Sequence, residues 1–255
     1  MKHKASTAAI AALVAALGTA PAASAASGAA PDAASVLSTP ADYHGTQSWT
    51  AYIDVGHAVT FNAVTADFKI PPVACTSSTS KASFWIGLDG YGDGTVEQVG
   101  ISTDCHGGQP VFQAWLEMYP EATDYRFTVF PGDLIAMAVT SNGGGHYSLA
   151  LKDLSRPTAK FNQAITCPSG QTCKNLTAEA VLEADGGTNL SQFTANGFTE
   201  FQAVTDTGAR TGLAATSSWG LAKLLMTGAN GQPLADLSAI TGAGENFSFV
   251  YKQPR

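Results

Sequence analysis

Charge is scarce in this chain: Asp, Glu, Lys and Arg make up only 13% of 255 residues, about half the usual share. Basic residues are the scarcer kind, 13 against 20 acidic, which argues against nucleic acid as a partner. A surface solvated by Ser, Thr, Asn and Gly gains little net charge when its carboxylates are protonated. Repulsion within the folded state therefore stays modest in acid. Past the first two dozen residues no run is long and apolar enough to span a bilayer. Sustained helical periodicity is missing, apart from an ambiguous SSWGLAKLLM at 217–226, and there is no internal repeat. No G-x-S-x-G surrounds a serine, and His44, His57, His106 and His146 are scattered, so a Ser-His-Asp triad has no support. The four cysteines lack C-x-x-C spacing and no H-x-x-x-H accompanies them, which disfavours zinc.

What is present begins with a leader. Lys2, His3 and Lys4, an apolar run from Ala8 to Leu17, and Ala23-Ser24-Ala25 read as a cleaved secretory signal over 1–25. Removing it takes away two lysines, leaving 11 basic against 20 acidic residues, a net of −9. Residues 26–43 are rich in Ala, Pro and Ser and read as a linker or short propeptide. A soluble, extracellular mature protein is expected, with no membrane contact once the signal is gone. In an oxidising compartment four cysteines read as two disulfides, with three possible connectivities. Cys167 and Cys173 enclose only a five-residue turn, which leaves Cys75 and Cys105 as natural partners.

From Gln47 onward short β-rich segments recur between turn clusters: SWTAYIDV, VTFNAVTADFKI, ASFWIGLD, TVEQVGI, PVFQAWLEMYP, YRFTVF, DLIAMAVT, HYSLALKDL, AEAVLEA and NFSFVYK. One all-β domain over 44–255 is expected, a two-sheet antiparallel β-sandwich of the concanavalin or lectin type. Alternation along the strands assigns faces. In VFQAWLEMYP, Phe112, Ala114, Leu116 and Met118 form a core face, while Gln113, Trp115, Glu117 and Tyr119 mix aromatics with polar groups as a binding cleft does. In FWIGLDG, Trp85, Gly87 and Asp89 oppose Phe84, Ile86 and Leu88, and Asp89-Gly90 signals a turn. In TAEAVLEAD, Glu179, Val181 and Glu183 oppose Ala178, Ala180 and Leu182. In TVEQVG, Glu97 and Gln98 necessarily point to opposite faces.

These pieces resemble the glutamic peptidases, the eqolisin family of acid-acting secreted endopeptidases, here in a bacterial-type form. The resemblance runs from Trp49 to about Tyr251 and rests on motifs in the family's order: Trp49, Trp85-x-Gly87-x-Asp89-Gly90, Gln98-x-Gly100, Trp115-x-Glu117-x-Tyr119-Pro120 and Ala178-Glu179. It implies a sandwich with a concave substrate cleft and a catalytic pair, Gln98 and Glu179. It also implies that Trp49, Trp85, Asp89, Trp115, Glu117 and Tyr119 line or support the cleft. Polypeptide substrates, no cofactor, no metal and a monomer are expected. Two positions depart from the family: Ala180, where it carries Trp, and Ser102, where it carries Asp, with Asp104 nearby. Both are expected to bear on cleft shape and activity. Two rival readings remain: a non-catalytic carbohydrate-binding sandwich, since aromatic rows also suit sugar rings, and a glycosidase using Glu117 and Glu179.

Overall fold

The computed structural model describes residues 43–46, 48–184 and 189–252. The expected signal and nearly all of the linker lie outside the described residues; Tyr43 begins the first strand. In chain order the strands are β1 (Tyr43–Thr46), β2 (Trp49–Gly56), β3 (Phe61–Lys69), β4 (Val73–Ala74), β5 (Ser83–Asp89), β6 (Val96–His106), β7 (Gln109–Tyr119), β8 (Asp124–Thr128) and β9 (Leu134–Gly143). There follow β10 (His146–Asp153), β11 (Lys160–Thr166), β12 (Thr177–Glu183), β13 (Gln192–Phe193), β14 (Phe198–Thr205), β15 (Arg210–Thr211), β16 (Trp219–Met226), β17 (Ala235–Leu237) and β18 (Phe249–Tyr251). Among the described residues the single helical element is a 3-10 turn at Gly242–Gly244.

An eight-stranded sheet, ordered β1-β16-β2-β12-β5-β6-β7-β8, packs on a six-stranded sheet, ordered β11-β10-β9-β3-β14-β15. Pairing within both is antiparallel except β1 with β16. The expected all-β sandwich is thus present. Its core lies between the sheets, where the apolar faces of β5 (Phe84, Ile86, Leu88) and β7 (Phe112, Ala114, Leu116, Met118) meet Phe68, Met137, Val139 and Leu149. Phe68 and Phe84 stack across it with centroids 4.7 Å apart. A second apolar cluster covers the other face of the eight-stranded sheet and includes Trp49, Trp85, Tyr91, Trp115 and Val181. The strands β5, β6 and β12 are therefore buried on both faces, their polar residues included.

Three departures from the sequence reading have local causes. The ambiguous SSWGLAKLLM contains β16, because pairing with β2 overrides its helix-like residues. β14 was not anticipated: a register shift between Thr199 and Gln202 puts Phe198 and Phe201 both inward and breaks the two-residue period. β11 was not anticipated either; it is a sheet edge with little apolar alternation. Two disulfides join Cys75 to Cys105 and Cys167 to Cys173, the pairing the spacing suggested.

Candidate active site

The site is built by register. Glu179 on β12 lies opposite Gly87 on β5, Gly87 opposite Gln98 on β6, and Gln98 opposite Glu117 on β7. Directly opposed residues share a face, so these four form one row across the outer face of the eight-stranded sheet. Two strand spacings, about 10 Å, separate the backbones of Glu179 and Gln98. Gly87 between them has no side chain to fill the gap. A Cβ there would stand 3.1 Å from the Trp85 ring and 3.4 Å from the Gln98 Cβ, so the two polar side chains flank a glycine whose missing side chain makes room for the Trp85 ring.

The neighbouring row is Val181, Trp85, Gly100 and Trp115. Gly100 is required here: a Cβ would come within 2.5 Å of the Trp85 Cβ and 2.6 Å of the Trp115 ring. Trp49 meets Trp85 edge to face, 5.0 Å between centroids, and Trp85 Nε1 donates to Glu183 Oε2 at 2.9 Å. All three tryptophans are buried, forming packed walls around the row. Glu117 is buried and accepts from the Thr123 hydroxyl at 2.6 Å; Tyr119, half-buried, ends the strand.

Asp89, expected to line or support the cleft, binds backbone. It stands at the end of β5 with φ = 61°, fully buried. Its carboxylate accepts the backbone N–H groups of Lys174 and Asn175, both at 2.7 Å, and of Leu176 at 2.6 Å. That fixes the segment entering β12 three residues before Glu179. Asn175 in turn takes the Tyr147 hydroxyl proton on Oδ1 at 2.6 Å and donates to Ser141 at 3.0 Å. Sequence reasoning could not find this clamp, because its donors lie about 85 residues downstream in a segment without periodicity. Ala180 faces the core between the sheets, as alternation along β12 requires, so the departure there concerns core packing and not the shape of the outer face. Ser102 is buried on the outer face, opposite Ser83 and Gln113.

Electrostatics separate the carboxyls. Glu179 has 0% exposure, and no described protein donor reaches either of its oxygens. Burial, then the charges of Asp93, Asp89, Glu97 and Glu183, hold it well above the usual carboxylate range. Gln98, 6% exposed, likewise has an Oε1 without a protein partner. Glu97 points into the inter-sheet core, where burial and then the neighbouring Asp89 charge push it up to about 10. Asp89 is raised to about 7 by burial and by Asp93, against the lowering effect of the backbone N–H groups it accepts.

The profile of the Peptidase A4 family matches residues 47–241, well over half of the chain. Among solved structures, scytalido-glutamic peptidase bound to a peptide-based transition state analogue superposes with a TM-score of 0.66 at 25% identity, over 80% of this chain and 98% of that one. Aspergilloglutamic peptidase from Aspergillus niger superposes with a TM-score of 0.56 at 21% identity, over 68% and 99%, which is a likeness of fold. In sequence, aspergillopepsin-2 from Aspergillus niger is 25% identical over 170 residues, 58% of this chain. Scytalidopepsin B from Scytalidium lignicola is 30% identical over 139 residues, 53% of this chain. The chain spans 60% and 51% of the lengths of these two relatives.

Proposed function

The chain belongs to the Peptidase A4 family, and from that premise we propose that it is a secreted, acid-acting endopeptidase whose chemistry is carried by Glu179 and Gln98. The observation that carries this reading is the row itself: a carboxyl and a carboxamide flank Gly87 on one face, with no described protein donor on the Glu179 oxygens. Peptide hydrolysis needs a base for the attacking water and a donor for the oxyanion of the tetrahedral intermediate. Glu179 takes the water proton as the oxygen attacks the carbonyl carbon and returns it to the departing amine. Gln98 Nε2–H donates to the carbonyl oxygen as its negative charge develops.

An amide suits acid because it does not titrate, whereas a histidine base, with a reference value near 6.5, would be protonated far below that pH. Burial and neighbouring charges hold the Glu179 carboxyl well above the usual range, which by itself favours the protonated form in acid. As pH falls, Glu97 and Asp89 become neutral from about 10 and about 7, so two of the charges that oppose ionisation of Glu179 vanish. Water and substrate dipoles entering the row offset the burial that remains. A general base works best with its pKa near the operating pH, and in acid Glu97 and Asp89 no longer add to the burial that raises Glu179.

Polypeptides are the substrate class, by analogy with the peptide-based inhibitor in the superposed peptidase. Secretion is supported by the leader over 1–25 and by two disulfides. The glycosidase reading is weaker: Glu179 and Glu117 are three strands apart with Gln98 between them. That is about 14 Å between backbones, so the two carboxyls reach a standard spacing only if both side chains lean toward each other past Gln98. The test is incubation of the mature protein with a denatured protein and with polysaccharides from acid to neutral pH. Protein cleavage in acid, lost in Glu179→Gln, is expected; polysaccharide cleavage with the protein left intact contradicts the proposal.

A further inference from the structure

Between β5 and β6 the chain makes a glycine-rich turn, Gly-Tyr-Gly-Asp-Gly-Thr at 90–95. Gly90 adopts φ = 97°, and a Cβ there would lie 2.9 Å from Glu179 Oε1, 2.7 Å from Val96 and 3.1 Å from Trp49. The first residue of the turn is therefore packed against the Glu179 carboxyl, and only glycine fits. Tyr91 follows it into the apolar cluster of the outer face. Farther along, Gly94 lies beside the Cys167–Cys173 loop, its Cβ position 3.8 Å from Gln171 Oε1.

One side chain closes the turn from within. Asp93 Oδ1 accepts the Gly90 N–H at 3.0 Å. After burial, the Asp93 charge is also the strongest influence on both Asp89 and Glu179. Asp93 therefore stands close to the carboxyl of the row and to the side chain that clamps the segment leading into it. Around Glu179 the other charged groups are Asp89 at the end of β5, Glu97 on β6 and Glu183 on its own strand. A polypeptide cannot reach a carboxyl with 0% exposure unless a neighbour moves, and among the described residues Gly90, the first residue of this turn, is one such neighbour.

We propose that Asp93 is a positioning residue whose carboxylate latches the 90–95 turn shut over Glu179, so that release of the Gly90 N–H opens the outer face to a polypeptide. This rests on the peptidase reading, deepens it by naming what governs access, and assigns a task to a side chain outside the Gln98 and Glu179 pair. Asp93→Ala removes the acceptor. Asp93→Asn removes the charge but keeps an amide oxygen able to accept from Gly90.

Amide hydrogen exchange on the ligand-free mature protein separates these effects. In Asp93→Ala, exchange across 90–95 accelerates about tenfold or more, the scale of a lost charge-assisted hydrogen bond, while β9 and β10 keep wild-type protection. In Asp93→Asn the turn exchanges close to wild type. In kinetics on a denatured protein, Asp93→Ala changes KM more than kcat and Asp93→Asn restores the wild-type KM. Wild-type exchange across 90–95 in Asp93→Ala overturns the latch, and so does an Asp93→Asn turn that exchanges as fast as Asp93→Ala. Exchange is read without substrate, so failure of the latch is distinguishable from failure of the peptidase reading, which an active Glu179→Gln enzyme would reveal.

Discussion

Glu97 and Glu179 stand on opposite faces of one sheet, and the contrast between them separates burial from function. Both are fully buried and both are raised well above the ordinary carboxylate value. A perturbed carboxyl alone would nominate either. What differs is the company. Glu97 sits in the inter-sheet core beside Asp89 and Tyr147, whose hydroxyl is raised by burial and by those two charges, with Leu88 and Met118 opposite it on the adjoining strands. Glu179 lies across Gly87 from a carboxamide on the same face. A reacting peptide needs both a base and a donor within reach, and only the outer face supplies both.

The comparison breaks most visibly on the donor side. Gln98→Ala is expected to lower kcat by about 10²- to 10³-fold, the usual cost of an oxyanion donor, with the thermal midpoint little changed. Steady-state kinetics beside a melting curve read both. A variant that keeps wild-type kcat would make the outer row no better a candidate than the inner carboxyl.

Asp89→Ala should act through the fold. It orphans three backbone N–H groups held at 2.6–2.7 Å, and each bond to a charged acceptor contributes on the order of 1.5 kcal/mol or more. A loss of about 3 to 5 kcal/mol is expected by denaturant titration. An unfolding midpoint equal to wild type would show that the clamp does not hold the entry to β12.

The disulfides should rank by loop length. Cys75 and Cys105 are separated by 30 residues, Cys167 and Cys173 by 6, which corresponds to about 3.5 and about 2 kcal/mol of loop-closure entropy. Removing each pair by serine substitution and comparing midpoints checks the order; an equal or reversed ranking contradicts it.

The gentlest handle is pH. Glu97 at about 10, Asp54 at about 8, Asp89 at about 7 and Asp67 at about 6 are all raised, burial being the first cause in each case. The folded state therefore holds protons that the unfolded chain releases near its ordinary carboxylate values. Stability is greatest in acid and falls as pH rises from about 4 through these folded values. Glu97→Gln removes the highest of these titrations and should flatten the decline above neutrality, measured as midpoint against pH. A wild-type midpoint that climbs from pH 4 to pH 8 would refute the sign.

Much of this was legible in the sequence because β5, β6, β7 and β12 alternate cleanly, and the opposition of Glu97 and Gln98 follows from period two alone. Register was not legible. That Glu179 stands across Gly87 from Gln98 depends on pairing residues about 90 positions apart, which no local pattern encodes; the motif order of the family pointed to the pair instead. Asp89-Gly90 announced a turn but not the turn's position over Glu179, and Asp93 lay in that turn without any periodic signal. The particular backbone contacts of Asp89 were hidden for the same reason, since its hydrogen-bond donors are remote in sequence. Strand β14 was hidden by its own irregularity, where Glu200 takes φ = 55°.

The most direct measurement compares Glu179→Gln with Glu97→Gln in acid proteolysis of a denatured protein. Each substitution conserves shape and removes a titrating carboxyl, one from each face of the same sheet. Glu179→Gln should lose about 10²- to 10⁴-fold in kcat, as expected for a missing general base, while Glu97→Gln retains wild-type kcat. Loss in Glu97→Gln with activity preserved in Glu179→Gln would contradict the assignment of the outer face.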